Sequence, residues 1–98
     1  MTITKNQEGA ALVIALEGRL DTTTSPELEK ELKESLPGVS QLTLDLEELE
    51  YISSAGLRVL LAAQKTMSAQ GAMKLIHVNE IIMEIFEITG FSDILTIE

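Results

Sequence analysis

The spacing of apolar residues changes several times along this chain, and each change marks an element boundary. Thr2–Lys5 and the apolar, β-branched run Ala10–Glu17 predict two strands, with Asn6-Gln7-Glu8-Gly9 as the hairpin turn between them. Gly18-Arg19-Leu20-Asp21 then leaves the sheet. Leu28, Leu32 and Leu36, four apart, predict a helix opening near Ser25-Pro26. Ser is a good N-cap, Pro suits the first helical position, and Glu27 faces the positive end of the dipole. Pro37-Gly38 stops that helix. Leu42, Leu44 and Leu46 alternate with Thr43 and Asp45, so Gln41–Leu46 reads as a strand.

The second half repeats the strand–helix order. A helix follows Ser54, with Leu57, Leu60, Leu61 and Met67 on its buried side and Gly71 as its stop. Ala72–Val78 has few polar side chains and predicts a central strand covered on both faces. Asn79 caps a third helix, with Val78 and Met83 spaced as a hydrophobic staple. Ile81, Ile82, Ile85, Phe86 and Ile88 are expected to pack inward, and Glu80, Glu84 and Glu87 to face water. Gly90 ends the helix, and Ile94–Ile97 is a last short strand. Alternation from residue 40 onward implies right-handed βαβ crossovers, while the opening hairpin makes the sheet mixed. The expected class is α/β, one domain over residues 1–98. It has a four- or five-stranded sheet and three or four helices.

Composition narrows the functions open to such a domain. Sixteen acidic residues against seven basic ones give a net charge of −9, which argues against nucleic acid or an anionic membrane surface as partner. The chain has no Cys, so disulfides and thiolate catalysis are excluded. No apolar run reaches the roughly 18 residues of a spanning helix. Met1-Thr2-Ile3-Thr4-Lys5 lacks the basic-then-apolar order of a signal peptide, so a cytoplasmic protein is expected.

Candidate chemistry is sparse. His77 is the one histidine, between Ile76 and Val78, and reads as a structural residue of an inner strand. No metal-ligand spacing and no Gly-rich phosphate loop stand out. No enzyme, cofactor or metal is therefore expected. What remains is Ser53-Ser54 at the mouth of a helix, where free N–H groups and the dipole suit either a plain cap or a phosphate-bearing switch. Arg58, Ala62, Lys65 and Ala69 recur at helical spacing opposite the Leu stripe. Small side chains beside Arg and Lys on that strip let another protein approach closely.

The span Leu46–Leu61, LEELEYISSAGLRVLL, resembles the signature of the anti-sigma-factor antagonists, bacterial members of the STAS domain family. Gly56-Leu57 anchors the likeness, Ala55 takes its small position, and Ser54 falls on the phosphoacceptor. Gly18-Arg19-Leu20-Asp21 resembles the family's G-x-L-D, and Thr89-Gly90-Phe91 its helix-ending motif. Ser53 stands where several antagonists carry Asp, so Ser53 is the alternative phosphoacceptor.

The resemblance implies partner switching. The unmodified protein would bind an anti-sigma factor that is also a serine kinase and so release the sigma factor. Phosphorylation would end binding, and a serine phosphatase would restore it. ATP and Mg²⁺ would belong to the kinase. The implied partner-binding residues are Asp21, Ser53, Ser54, Ala55, Gly56, Arg58, Ala62 and Lys65, on a monomer. The alternative is a STAS regulatory subunit of a membrane transport complex, acting by contact without a phosphorylation cycle.

Overall fold

Residues Met1–Glu98 are all described by the computed structural model. Strands β1 (Thr2–Glu8) and β2 (Ala11–Leu20) form an antiparallel hairpin. Both are longer than the sequence pattern suggested. Asn6, Gln7 and Glu8 pair with Val13, Leu12 and Ala11, because Gly9 at φ 59° makes the turn tight enough for the ladder to run to its end. Gly18-Arg19-Leu20 likewise stays in β2 instead of leaving the sheet.

Helix α1 (Ser25–Ser35) follows. Its N-cap position is Thr24, and Ser25 is buried in its first turn with Oγ donating to the Asp21 carbonyl. Strand β3 runs Gln41–Ile52, twice the expected six residues. The reason lies in its register with β2: Ala15 and Glu17 oppose Asp45 and Glu48, and Gly18 and Arg19 oppose Leu49 and Tyr51. β3 therefore carries an extra residue at each of two irregularities. The buried positions Leu42, Leu44 and Leu46 give way to Leu49 and Ile52, a spacing that hides the strand from a period-two reading.

Helix α2 (Ser54–Gln70), strand β4 (Ala72–Ile76), helix α3 (Glu80–Thr89) and a 3-10 turn (Phe91–Asp93) complete the chain. The sheet order is β1-β2-β3-β4, with β2, β3 and β4 parallel. This is the mixed four-stranded, three-helix α/β architecture that the alternation predicts. β4 is an edge strand, contrary to the central place expected of it. Met73 and Leu75 are buried while Ala72 and Lys74 are exposed, so only one of its faces is covered. The expected strand Ile94–Ile97 shrinks to one parallel bridge, Ile97 to Leu75.

One apolar cluster of 23 residues fills the space between the sheet and its helices. Leu12, Ile14 and Leu16 of β2 meet Leu42, Leu44 and Leu46 of β3, roofed by Leu28, Leu57, Leu60 and Met67. Leu61 is only half-buried, and Val59 and Ala63 take the inner places beside Leu60. On α3, Ile82 and Phe86 are buried, but Ile81 and Ile88 face water. Apolar residues surround most of that helix, and the sheet can cover only one stripe of it.

Candidate functional site: a serine pair at the mouth of a helix

β2 and β3 finish side by side, and that places the candidate site. Leu20 pairs with Ile52, and the next amide, that of Ser53, donates to the Leu20 carbonyl at 2.9 Å. Ser53 stays extended (φ −96°, ψ 176°) and is the N-cap of α2. Its Oγ accepts from the Gly56 amide at 3.4 Å, and its carbonyl accepts from the Leu57 amide at 2.9 Å. Ser54 is the first helical residue; its side chain is exposed and its hydroxyl makes no hydrogen bond within the chain. The two hydroxyls thus do different things, one holding the helix and the other free.

Gly56 is buried against the strand ends. A Cβ there would lie 2.7 Å from Leu20 Cγ and 2.8 Å from Ile52 Cγ1. The small pair Ala55-Gly56 therefore lets the first turn of α2 sit directly on the sheet.

Asp21 follows Leu20 on the neighbouring strand end. Its Oδ1 accepts from the amides of Thr23 (3.0 Å) and Thr24 (3.1 Å), and its own amide donates to Thr24 Oγ1 at 2.9 Å. The Thr24 amide is the main cause that holds the Asp21 carboxyl below the ordinary aspartate range, helped by the Thr24 hydroxyl, the Thr23 amide and the Arg19 charge. Asp21 thus builds the loop that enters α1.

Arg58, Ala62 and Lys65 are exposed along α2, as the spacing predicted. A cleft of about 430 Å³ runs between α1 and α2, walled by Leu32, Leu36, Val59 and Ala62 among others. A shallower depression of about 330 Å³ continues it toward the α2 mouth, with Thr22, Pro26, Ala55 and Arg58 on its walls. Glu29 and Val59 border both, so the groove leads along α2 to the turn that carries Ser54. Lys65 does not border it.

Two groupings escaped the sequence reading. The Arg19 guanidinium lies 4.5 Å from the centroid of the Tyr51 ring, a cation–π pair beside the strand ends. Arg19 sits inside the G-x-L-D motif and Tyr51 is the lone tyrosine, but only the strand register brings them together. The second is Asp45, Glu47 and His77, whose ligand atoms lie within 4.8 Å of one another. His77 is exposed, in the left-handed region at φ 55°, and Nδ1 is 3.1 Å from Asp45 Oδ1 and 3.8 Å from Glu47 Oε2. This corrects the expected inner-strand placement: β4 ends at Ile76, and the left-handed turn swings the imidazole toward β3. The three residues could hold a cation, although a hydrogen bond between His77 and Asp45 already accounts for that contact.

Residues 3–96 match the family model described as Mlab, STAS domain. The chain belongs to the STAS domain family. Curated STAS relatives span nearly its whole length. BtrV of Bordetella bronchiseptica is 38% identical over 96 residues, covering 96% of this chain and 83% of that protein. The anti-sigma-B factor antagonist of Listeria monocytogenes is 31% identical over 97 residues, covering 96% of this chain and 84% of that protein. Among solved structures, the Bacillus cell fate determinant SpoIIAA in its phosphorylated form shares the STAS fold, with a TM-score of 0.77 at 17% identity over 99% of this chain and 91% of that one. No helix of this STAS domain is long and apolar enough to cross a membrane.

Proposed function

We propose that this STAS domain is an anti-sigma-factor antagonist whose binding is switched off by a phosphate on Ser54. The observation that carries the reading is the division of labour in the serine pair: Ser53 is spent on the cap, and Ser54 presents a free, exposed hydroxyl. The name of the Listeria relative, an anti-sigma-B factor antagonist, supports the functional class. The partner in this reading is a serine kinase that is also the anti-sigma factor. It binds the α2 mouth and the strip Ala55, Arg58, Ala62 and Lys65, with Asp21, Ser53 and Gly56 shaping the surface beneath. The partner supplies ATP, and the terminal phosphoryl passes to Ser54 Oγ as its proton leaves. A serine phosphatase reverses the step. The domain acts as a monomer in the cytoplasm and performs no chemistry of its own.

Electrostatics explains why such a phosphate would act on the complex and leave the fold intact. A phosphoserine carries roughly −1.5 to −2 charges near neutral pH. At the N-terminus of a helix that charge is favourable by roughly 0.3–1 kcal/mol. In a closed interface the same dianion loses its water without gaining a counter-charge. A penalty of about 3 kcal/mol there is roughly a hundredfold loss of affinity.

Intact mass after incubation with the cognate kinase and ATP tests the reading. The wild type and Ser53→Ala gain one phosphate, and Ser54→Ala gains none. Ser54→Asp keeps the far-UV spectrum and loses partner binding by about a hundredfold. Phosphate on Ser54→Ala would move the switch to Ser53, and no uptake in any variant would favour regulation by contact alone.

A further inference from the structure

The outer side of α3 carries a second feature, independent of the Ser54 reading. Six of its ten residues are large and apolar: Ile81, Ile82, Met83, Ile85, Phe86 and Ile88. The core takes up Ile82 and Phe86 completely and Ile85 in part. Ile81 remains 61% exposed and Ile88 77% exposed. Lone exposed isoleucines are ordinary on a protein surface. These two are seven residues apart, so they stack two turns along one side of the helix, with half-buried Ile85 between them; the three span an arc of about 60°. A helix that is apolar around most of its circumference is normally covered on more than one side.

The border of the stripe says what kind of molecule covers it. Glu84 projects next to Ile81 and Ile88 on the solvent side, with Glu80 and Glu87 beyond it, and α3 contains no Lys, Arg or His. None of the three glutamates is in an ion pair. A second copy of the chain would bring the same three carboxylates and a further net charge of −9 to the contact. The support beneath is firm, because the Asn79 side chain both caps α3 and donates to the Leu49 carbonyl at 2.8 Å.

The geometry points to a docking surface on α3 for an amphipathic helix of another protein, one with apolar residues bordered by Lys or Arg. Ile81, Ile85 and Ile88 form the apolar seat, and Glu80, Glu84 and Glu87 form the acidic rim. This surface belongs to a different helix from the serine pair, so a partner could occupy it whatever the state of Ser54.

The test uses the whole ¹⁵N-labelled chain at about 0.15 M salt, where attraction to net charge alone is screened beyond roughly 8 Å. The probe is a synthetic peptide of about four helical turns with a Leu face bordered by Lys, and its counterpart carries Glu in place of Lys. The Lys peptide is expected to shift the amides of Ile81–Ile88, and the Glu peptide to leave them in place. The double variant Ile81→Ser with Ile88→Ser removes only exposed side chains and retains its circular dichroism. It is expected to bind the Lys peptide at least about tenfold more weakly, as is Glu84→Lys with Glu87→Lys. Shifts outside α3, or unchanged affinity in the serine variant, overturn the proposal. Sedimentation velocity of the free chain is expected to give a monomer; a dimer lost in the serine variant would overturn the choice of occupant.

Discussion

The mouths of α2 and α3 use one device for two purposes. Each helix is capped by a polar side chain that accepts the amide three residues on: Ser53 from Gly56 at 3.4 Å, and Asn79 from Ile82 at 3.0 Å. The residue after the cap is exposed in both. At α3 that residue is Glu80, so the positive end of the helix dipole already has its carboxylate. At α2 it is Ser54, and the first turn holds no acid. Two residues further in, α3 sends Ile82 fully into the core, while α2 has Gly56 and brings its backbone down onto Leu20 and Ile52. Capping is therefore common to both and does not mark a site. What sets α2 apart is a neutral, unengaged hydroxyl where its counterpart carries a carboxylate.

Substitutions can break this contrast at each level. The largest effect is expected at the third helical position. Ile82→Ala should cost about 2–5 kcal/mol in urea unfolding, through lost burial and a residual cavity. The opposite error, Gly56→Ala, should cost about 1–3 kcal/mol, because a methyl must displace Leu20 or Ile52. A cost below experimental error would mean that the α2 turn moves freely.

The caps come next. Asn79→Ala should cost about 1–2 kcal/mol and Ser53→Ala about 0.5–1 kcal/mol, since Asn79 also holds Leu49 and the Ser53 contact is long. Equal costs would remove the distinction between the two mouths. A smaller change is expected from Ser54→Asp on stability alone: a gain of roughly 0.3–1 kcal/mol at low salt that fades as salt is added, giving α2 the charge that Glu80 gives α3.

The last expectation concerns pH. The Asp21 carboxyl sits below its ordinary range when folded, so the unfolded chain binds its proton more readily. Its contribution is present above about pH 4 and is lost as pH falls through the lower folded value. Chemical denaturation between pH 5 and pH 2, as an order-of-magnitude window, should show a shallower loss for Asp21→Asn than for wild type. Parallel curves would detach the charge of Asp21 from the loop.

Much of this was legible in the chain. Pro26, Asn79 and Gly90 mark helix ends, and the Leu alternation of Gln41–Leu46 marks a strand, because local chemistry decides those features. The capping expected of Ser25 is not seen: the N-cap is Thr24, and Ser25 lies inside the first turn. Ser53 and Ser54 were legible as a pair but not as a division. Which hydroxyl the cap consumes depends on where β3 ends, and that depends on pairing with β2. Long-range pairing also explains the other failures. β4 looks central by composition, yet it lies at the sheet edge. His77 looks enclosed by Ile76 and Val78, yet a positive φ turns it outward. Ile81 and Ile88 look buried by period, yet only one stripe of α3 fits the sheet.

The two extra residues in β3 have a consequence for how the serines came to their places. The strand is a ruler, and its divisions decide which residue meets the first free amides of α2. Each residue of a strand advances it by roughly 3.3 Å. Glu47 and Glu50 stand at the two irregularities, where β3 has one residue more than β2, so excising either would restore one-to-one pairing there and leave Leu20 opposite Ile52. Ser53 would still meet the first free amides, and Ser54 would still stand free. The irregularities are slack in the ruler: each can lose its spare residue without exchanging the roles of the two serines.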